Sequence, residues 1–395
     1  MSARPEIEPQ RVLLFQSTSI FETYGGIEYY LDDFSELCAS EWGPQSVRAL
    51  VPQRGKSTEE RRDYSKIDIP YSSLGILRKV QNRFSPSFLR AALAEIRRER
   101  PTLLIAGHVS LAPLVWLVSR LTSVPYVTFA YGIEVWGDLW PQDDWALRQG
   151  RGIVSISDWT RNILIQRGFN RSQIALLHPQ LPRAFHGVPL VEPQGKPHTT
   201  LLTVSRLEAG EQYKGHDDVL RALAQLAPGI RSGIRYIIQG DGSDRARLQT
   251  LCTELGITSM VEFRGAVKDR SELESVYREA DIFVMPSKFG KWQGKWRGEG
   301  FGIVYLEAAA FGLPSIAYDC GGVTDIITNG QDGVLVPPNE IGELSKAIGN
   351  LATDREKRGA LGRAAYQHTM DRFTQSAIRE EFLKVFSDLD LTGNV

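Results

Sequence analysis

Two glutamates eight positions apart, Glu299 and Glu307, lie on either side of a point where a glycine-rich loop gives way to a helix. Glycines alternate with other residues from Gly298 to Gly302, which lets the backbone approach a ligand closely, and strong helix formers follow from Ile303. A helix N-terminus attracts anions through its unpaired N–H groups and its dipole. If every intervening step were helical, the two carboxylates would stand about 12 Å apart along the axis. That spacing fits an elongated, phosphate-bearing small molecule better than a single reacting bond.

Two cations occupy comparable positions earlier in the chain. Arg206 directly follows a predicted strand at 201–205, and Lys214 comes just before a predicted helix at 216–226. Ligand crevices in α/β sheets lie at the carboxyl ends of strands, beside helix N-termini. A planar guanidinium and a mobile ammonium together suit a diphosphate whose charge grows as it leaves. The alternative interpretation is that both residues are solvated surface cations.

Other chemistry-bearing residues give weaker signals. His108 follows a predicted strand at 103–106, from which a side chain can face a cleft between domains, although a single histidine is as often structural. Gly240 and Gly242 are half of a dinucleotide fingerprint whose third glycine is missing, so a nicotinamide cofactor is not expected. Metal-ligand spacing does not occur, and the one Asp-x-Asp, at 388–390, lies in the C-terminal tail. We therefore expect neither a metal ion nor a cofactor.

Composition and charge indicate a globular protein and argue against several classes of partner and location. The chain has 42% hydrophobic and 24% charged residues, as globular proteins do, and its formal net charge of -1 argues against a nucleic-acid partner. Polar residues 1–10 lead straight into an apolar strand, so no signal peptide is expected, and the longest apolar stretch, 111–118, is too short to span a membrane. Three widely spaced cysteines indicate buried thiols in a reducing compartment. We therefore expect a cytoplasmic protein.

The length of 395 residues suggests two domains. Apolar runs alternate with helical patterns, which is typical of the doubly wound α/β class, with parallel sheets covered on both faces. Prolines interrupt every regular pattern between 178 and 198, so we predict one domain over residues 1–185 and a second over 198–372. The predicted strands are 11–16, 46–51, 103–106, 126–130, 153–156, 201–205, 236–239, 261–263, 282–285, 315–318 and 333–336.

Two basic segments leave more than one interpretation open. Residues 74–100 carry seven cations and two glutamates among apolar residues, which fits a basic helix on an anionic membrane surface or a surface helix packed on its sheet. Residues 288–297 contain two tryptophans, three lysines and an arginine, which fits a mobile flap over a sugar phosphate or a plain surface loop. One short loop without a basic groove does not indicate a single-stranded nucleic-acid site.

Several short motifs follow one another along the chain in a characteristic order. They are Gly25-Gly26-Ile27-Glu28, Tyr131-Gly132-Ile133-Glu134, residues 155–159, residues 205–207, Lys214-Gly215, Gly240-Asp241-Gly242, residues 263–265 and Glu299-x7-Glu307. With these motifs the chain resembles the retaining glycosyltransferases of family 4, which have the GT-B fold: two Rossmann-like, doubly wound domains facing a central cleft. The glutamate pair together with the arginine and the lysine is the specific part of the resemblance.

The resemblance implies transfer of a hexose from a nucleotide diphosphate sugar with retention and without a metal ion. Arg206 and Lys214 would bind the diphosphate and stabilise it as it leaves, Glu299 would contact the sugar hydroxyls, and Glu307 the ribose. The donor phosphate itself would deprotonate the acceptor. The remaining positions implied are His108 near the reacting carbon, Gly25 and Gly26 at the diphosphate, Val267 at the base, and the backbone of Phe301, Gly302, Ile303 and Val304 around the sugar and phosphate.

The same resemblance suggests the partners. UDP-glucose is the favoured donor and GDP-mannose a close second, with a growing glycan or a lipid-linked molecule as acceptor in cell-surface polysaccharide synthesis. Two further functions stay open, a sugar-nucleotide epimerase of the same fold and a non-catalytic nucleotide-sugar binder. The basic pattern of residues 74–100, independently of the resemblance, leaves open a peripheral contact with the inner face of the cell membrane.

Two features depart from the family pattern. Tyr131 stands where many relatives carry a histidine, so that position receives no catalytic role. The basic-aromatic loop at 288–297 is longer than in many relatives. The final segment, residues 375–391, has an apolar stripe at helical spacing and is expected to pack back on the first domain, as the last helix of the fold does.

Overall fold

The computed structural model of the protein describes residues 9–16, 26–52, 65–69, 86–190, 197–267, 270–292 and 294–391. The chain forms two compact units, one comprising Met1–Gln180 with Gln375–Val395 and the other Leu181–Thr374. Each unit has its own parallel β-sheet, so the prediction of two α/β units is confirmed. Gly25 and residues 74–85 of the basic segment lie outside the described residues.

The first unit is built on a seven-stranded parallel sheet with the order β3-β2-β1-β4-β5-β6-β7. Its central strands are short, apolar and buried along their whole length, as expected for strands covered on both faces. The strands are Val12–Phe15 (β1), Val47–Pro52 (β2), Ser65–Ile69 (β3), Leu103–Ala106 (β4), Tyr126–Ala130 (β5), Gly152–Ser155 (β6) and Ile174–Leu176 (β7), and the helices are Gly26–Trp42 (α1), Pro86–Glu99 (α2), Ala112–Thr122 (α3), Ile133–Trp136 (α4), Pro141–Gln149 (α5) and Asp158–Gln166 (α6).

The second unit is built on a six-stranded parallel sheet with the order β10-β9-β8-β11-β14-β15. Helices connect successive strands, so the carboxyl ends of the strands meet at one edge, where crevices form. The strands are Thr199–Val204 (β8), Ile234–Gln239 (β9), Val261–Gly265 (β10), Ile282–Val284 (β11), Gly290–Trp292 (β12), Lys295–Arg297 (β13), Ser315–Tyr318 (β14) and Gly333–Val336 (β15), and the helices are His216–Gln225 (α7), Pro228–Arg231 (α8), Arg245–Glu254 (α9), Arg270–Glu279 (α10), Ile303–Ala310 (α11), Ile341–Thr353 (α12) and Arg355–Arg372 (α13).

The last helix, Gln375–Asp388 (α14), is part of the first unit. The ring of Phe382 lies 5.5 Å from that of Phe34 and 5.3 Å from that of Trp42, and Phe386 lies 4.8 Å from Trp42. These contacts bury the apolar stripe of the final segment against α1. Aromatic contacts of this kind stabilise packed helices beyond their buried area.

The two units divide at Gln180, five residues before the predicted end of the first domain. The Leu181 N–H donates to the Phe373 carbonyl at 2.7 Å. The Phe185 ring packs on Tyr277 at 6.1 Å and on Phe311 at 5.6 Å. Residues 181–185 therefore belong to the second unit because their backbone and aromatic contacts are made there.

The described half of the basic segment is helix α2. Its residues Phe88, Ala92 and Ile96 are buried in the apolar core of the first unit, whereas Arg90 and Arg97 are exposed. The apolar side of α2 thus packs on the sheet, which is the second of the two interpretations given to this segment. A cationic face remains on the outside of the helix.

The basic-aromatic segment 288–297 contains a β-hairpin. Strands β12 and β13 pair antiparallel, with Lys291 opposite Trp296. The Phe289 ring lies 4.9 Å from the ring of Trp296, and the Lys291 ammonium lies 5.4 Å from it. Gly294 supplies the positive φ of +75° in the turn. Neither interpretation of this segment included a hairpin, because three-residue strands carry too little alternation to be recognised in a sequence.

Two sequence predictions concern the whole chain. Cys38, Cys252 and Cys320 are buried and unpaired, which confirms the interpretation as core thiols. Among the helices of the described residues, none is both long enough and apolar enough to cross a membrane.

Candidate functional site

Arg206 lies on a loop that follows β8 and is held by the end of the neighbouring strand β9. The Ser205 N–H continues the ladder by donating to the carbonyl of Gln239 at 3.0 Å. A Cβ at Gly240 would lie 1.8 Å from the Ser205 carbonyl oxygen, and one at Gly242 would lie 2.3 Å from the carbonyl oxygen of the residue after Arg206. These glycines are therefore required for close packing of two strand ends, a structural role that the fingerprint interpretation missed.

The Arg206 side chain is 72% exposed and faces solvent from this edge of the sheet. Its guanidinium donates to Glu211 Oε1 at 2.5 Å. The other oxygen, Oε2, is buried and has no hydrogen-bond partner among the described residues. The Glu211 carboxylate therefore tethers a guanidinium that is otherwise open to an incoming anion.

Lys214 and Glu299 are brought together from segments that are far apart in the sequence. The Lys214 Nζ lies 3.9 Å from Glu299 Oε2, and the two side chains are only 15% and 18% exposed. Burial raises the pKa of the Glu299 carboxyl above its ordinary value, against the opposing effect of the Lys214 charge. A mostly buried carboxyl whose pKa is raised beside a cation is typical of a functional site.

The loop before α11 is fixed by glycines on both sides. Gly302 has a φ of +101° and immediately precedes the helix. The N–H of Gly322 donates to the Glu299 carbonyl at 2.9 Å, and a Cβ on Gly322 would lie 2.0 Å from the Gly300 carbonyl oxygen. The backbone of Glu299 is thus clamped between the α11 N-terminus and the glycine-rich turn after β14.

Replacing Gly302 by Ala is expected to lower the free energy of unfolding by about 1–3 kcal/mol. A Cβ there would lie 2.6 Å from the ring of Tyr305 and 3.2 Å from Cγ of Glu299, in addition to the strain of positive φ. Chemical denaturation measures the loss. Gly330→Ala is the matched control, because Gly330 has a φ of +77° with nothing within 4 Å of its Cβ position. Equal losses in the two variants would show that the steric contact contributes nothing.

Glu307 lies on the second turn of α11, on the far side of the helix start from Glu299. The Tyr277 hydroxyl donates to Glu307 Oε2 at 2.7 Å. Burial raises the pKa of Tyr277 well above its ordinary value, so this hydroxyl keeps its proton and acts as a donor. The hydrogen bond orients the carboxylate. No sequence pattern indicates this contact, because Tyr277 and Glu307 lie on different helices.

The other predicted residues of the second unit lie at the same helix start, with one exception. The side chain of Phe301 is buried and packs on the ring of Phe373 at 5.8 Å, so only its backbone can face a ligand. Ile303 and Val304 are half-buried in the first turn of α11. The exception is Val267, which is half-buried just beyond the end of β10.

Ser205 and His216, to which the sequence assigned no role of their own, link the two cationic segments. The Ser205 Oγ and His216 Nε2 lie within hydrogen-bond distance, at 2.8 Å. Ser205 directly precedes Arg206, and His216 follows Lys214 after one glycine. Burial, assisted by the Lys214 charge, lowers the pKa of His216 to about 4, so the imidazole is neutral at neutral pH. A histidine next to a Lys-Gly pair at a helix start was the signal available in the sequence.

The unfolding free energy should fall as the pH is lowered from about 6.5 to about 4, because the His216 imidazole titrates near the upper value only when the chain is unfolded. In that window the unfolded state binds a proton that the folded state does not, and the full effect is about 3 kcal/mol. Asp217 and Asp244 favour protonation of His216, whereas Lys214 and Arg247 oppose it.

Denaturation at a series of pH values tests this expectation for His216. The variant His216→Gln should lose this part of the pH dependence. His198→Gln, at an exposed position, should keep it. An unchanged slope in His216→Gln would contradict the assignment of a neutral buried imidazole.

His108 and Gly26, the predicted residues of the first unit that the structure describes, lie at the carboxyl edge of its sheet. His108 precedes a short 3-10 turn, where its Nδ1 accepts the N–H of Ser110 at 3.1 Å. Tyr131 is buried and donates its hydroxyl to the carbonyl of Gly107 at 2.8 Å. Gly26 is the first residue of α1. The histidine thus caps a turn.

The second unit therefore carries two cations and two carboxylates at the carboxyl edge of a parallel sheet, the arrangement of an α/β protein that binds an elongated anion. The family described as "Glycosyl transferases group 1" matches residues 192–368, and that described as "Glycosyltransferase Family 4" matches residues 24–180. The chain belongs to glycosyltransferase family 4 and has the GT-B fold.

Individual proteins resemble this chain in sequence or in fold. A D-inositol 3-phosphate glycosyltransferase from Corynebacterium jeikeium is 33% identical over 190 residues, which cover 47% of this chain and 43% of the relative. A GDP-mannose-dependent monoacylated alpha-(1-6)-phosphatidylinositol monomannoside mannosyltransferase from Corynebacterium glutamicum is 25% identical over 377 residues, which cover 91% and 94%. The structure of Anabaena HepE in complex with UDP and glucose has a TM-score of 0.73 at 18% identity and covers 96% of this chain and 99% of that one.

The matches differ in the share of each relative that they cover and in their sequence identity. The chain spans less than half the length of the curated relatives that it matches at 32–33% identity. The likeness to HepE, at 18% identity, concerns the fold.

Proposed function

We propose that this protein transfers a hexose from a nucleotide diphosphate sugar to a glycan or lipid-linked acceptor, with UDP-glucose as the favoured donor. The observation that carries the proposal is the pairing of Lys214 with Glu299 at 3.9 Å beside the α11 N-terminus. Arg206 and its partner Glu211 are close enough to influence the pKa of Glu299. Two cations, each with a carboxylate neighbour, and a helix N-terminus suit a diphosphate whose charge increases during the reaction.

Each group in the second unit has a role in this proposal. Arg206 and Lys214 bind the diphosphate. Glu299 accepts hydrogen bonds from sugar hydroxyls, and Glu307, oriented by Tyr277, accepts them from the ribose. The backbone from Phe301 to Val304 lines the sugar and phosphate, and Val267 meets the base. From the first unit, His108 would contact the sugar, and Gly25 and Gly26 would contact the diphosphate.

The proposed chemistry needs no protein nucleophile. The acceptor hydroxyl attacks the anomeric carbon on the face from which the diphosphate departs, so the configuration is retained. The bond between the anomeric carbon and the diphosphate oxygen breaks, and its electron pair leaves with the nucleoside diphosphate. The acceptor proton passes to a phosphate oxygen of that leaving group. Arg206, Lys214 and the α11 dipole stabilise the developing charge in place of a metal ion.

GDP-mannose is the second candidate donor. The relative from Corynebacterium glutamicum that aligns along nearly the whole chain is named as a GDP-mannose-dependent mannosyltransferase, whereas the structural neighbour HepE is seen with UDP and glucose. The proposed contacts to the base run through backbone groups near Val267, which do not select a base by side-chain type. A direct comparison of the two nucleotide sugars distinguishes these donors.

A panel of UDP- and GDP-sugars tests the proposal. Thermal shift identifies the nucleotide that binds, and release of nucleoside diphosphate in the presence of acceptor glycans or polyprenyl-linked sugars reports transfer. A product with a new glycosidic bond and retained anomeric configuration is the expected result. Isomerised nucleotide sugar would instead indicate the epimerase, and tight binding without any turnover would indicate the non-catalytic binder.

For an acceptor linked to lipid, helix α2 offers a surface for the membrane. Arg90 and Arg97 are exposed on the helix while its apolar side packs inward. The protein should co-sediment with phosphatidylserine-containing vesicles at low salt. The double variant Arg90→Glu, Arg97→Glu should bind these vesicles more than about tenfold more weakly. Lys346→Glu, a charge reversal on the exposed part of α12, is the control. If the unmodified protein does not co-sediment with the vesicles, the proposed membrane contact is wrong.

A further inference from the structure

We propose that the hydrogen bond between Ser205 and His216 fixes the separation of Arg206 and Lys214, which makes His216 a positioning residue for the donor diphosphate. The inference rests on the proposed function of this site. It adds a residue that touches neither the sugar nor the phosphate and acts through the two cations beside it.

The hydrogen bond joins two segments that are otherwise held by separate parts of the unit. The Ser205 segment is tied to β9, where the Ser205 N–H donates to Gln239 at 3.0 Å. The Lys214 segment is tied to the chain after β11, because the Lys288 N–H donates to the Tyr213 carbonyl at 2.6 Å and Gly215 packs closely against Pro286. The contact of 2.8 Å between Ser205 Oγ and His216 Nε2 connects them directly, one residue from one cation and two from the other.

Burial makes this connection rigid. His216 is 3% exposed and occupies the first position of α7, so its ring has no room to reorient. Arg206, in contrast, is 72% exposed, and its partner Glu211 lies on the irregular 3-10 segment that follows in the chain. The Arg206 backbone is held on one side by Leu207, whose N–H donates to the Asp241 carbonyl at 2.9 Å and whose carbonyl accepts the Asp244 N–H at 2.7 Å. On the other side it is held by Ser205, which connects it to the Lys214 segment through the buried ring of His216.

The chemistry of an imidazole suits this role better than that of a charged group. A cation at position 216 would repel Lys214, and a carboxylate would compete with the diphosphate for it. Neutral imidazole satisfies the serine hydroxyl without changing the charge that the ligand meets. The pKa of about 4 keeps it neutral throughout the range in which sugar transfer would be measured.

Nucleotide binding to the whole protein, measured by calorimetry with UDP and with GDP, tests the inference. His216→Ala and Ser205→Ala should each weaken binding about 3- to 10-fold, the effect of losing one buried hydrogen bond. The double variant should be no weaker than the single ones, because both substitutions remove the same contact. His216→Gln, whose amide nitrogen can occupy the place of Nε2, should restore most of the affinity. The KM of the donor should follow the dissociation constant more closely than kcat does.

Tyr236→Phe is the matched control. It removes the buried hydrogen bond between the Tyr236 hydroxyl and Thr203 Oγ1, which is 2.7 Å long and also lies in the β8–β9 region but connects no cation. The variant should lower the melting temperature and leave nucleotide affinity unchanged. If Tyr236→Phe lost as much affinity as His216→Ala, the loss would be explained by general destabilisation of the unit, and the inference would be wrong.

Three outcomes overturn the inference: unchanged affinity in Ser205→Ala and His216→Ala, additive losses in the double variant, or no recovery in His216→Gln. If His216→Ala does not fold, Ser205→Ala alone decides, since Ser205 is only half-buried. A wild-type protein that binds neither nucleotide would instead refute the proposed function and is recognised before any variant is compared.

Discussion

Replacing Glu299 by Gln is expected to lower kcat for sugar transfer by at least about 10²-fold, because hydrogen bonds to sugar hydroxyls that strengthen in the transition state supply several kcal/mol. Nucleoside diphosphate should still bind with a modest loss of affinity, since Arg206 and Lys214 remain. Steady-state kinetics and calorimetry on the same preparation separate the two effects.

The same substitution is expected to stabilise the folded protein at neutral pH. Burial raises the pKa of Glu299 even though Lys214 at 3.9 Å lowers it, so desolvation outweighs the attraction. A carboxyl whose folded pKa is raised binds a proton more readily in the folded state, and its ionisation costs stability as the pH rises above the unfolded value. Gln removes that ionisation, so the free energy of unfolding at pH 7 should increase.

The control for Glu299→Gln is Glu343→Gln, which neutralises a half-exposed glutamate on α12. That variant should change neither kcat nor stability appreciably. Full transfer activity in Glu299→Gln would refute the role given to this residue. Lower stability at neutral pH would mean that the attraction of Lys214 exceeds the cost of burial.

Lys214→Ala is expected to weaken nucleoside diphosphate binding by about tenfold or more and to lower kcat by about 10²–10³-fold. The ammonium is 15% exposed, so its charge acts on a bound phosphate with little screening by water. The larger effect should fall on kcat because the diphosphate carries more charge as it leaves than it does in the donor. Lys214→Ala should therefore weaken both nucleotide binding and transfer, whereas Glu299→Gln should mainly weaken transfer.

Lys346→Ala tests whether removal of any lysine from this unit has the same consequence. Lys346 lies on α12, is 70% exposed and pairs with Glu343 at 2.6 Å. Its loss should leave affinity and kcat unchanged. If Lys214→Ala lowered affinity and kcat equally, its contribution would be uniform binding rather than stabilisation of the departing group.

Much of the fold could be predicted from the sequence, because its signals are local. Apolar runs such as 103–106 and 126–130 coincide with β4 and β5, since strands buried on both faces must be apolar throughout. The placement of Arg206 and Lys214 at a carboxyl edge followed from their positions between strand and helix patterns. The helix start at Ile303 followed from the glycines before it.

Local signals failed where elements were short or where contacts defined a boundary. The hairpin of β12 and β13 consists of three-residue strands, which have too few positions to display alternation. The end of the first unit depends on where Phe185 packs, and proline density does not carry that information.

The order of residues along the chain establishes which groups this protein has for binding an elongated anion and at which ends of strands and helices they lie. The state of these groups depends on packing in three dimensions: Glu299 is buried beside Lys214, Glu307 is oriented by Tyr277, and Ser205 is joined to His216. The physical reason is that strand and helix patterns depend on neighbours along the chain, whereas desolvation and hydrogen bonding depend on neighbours in space.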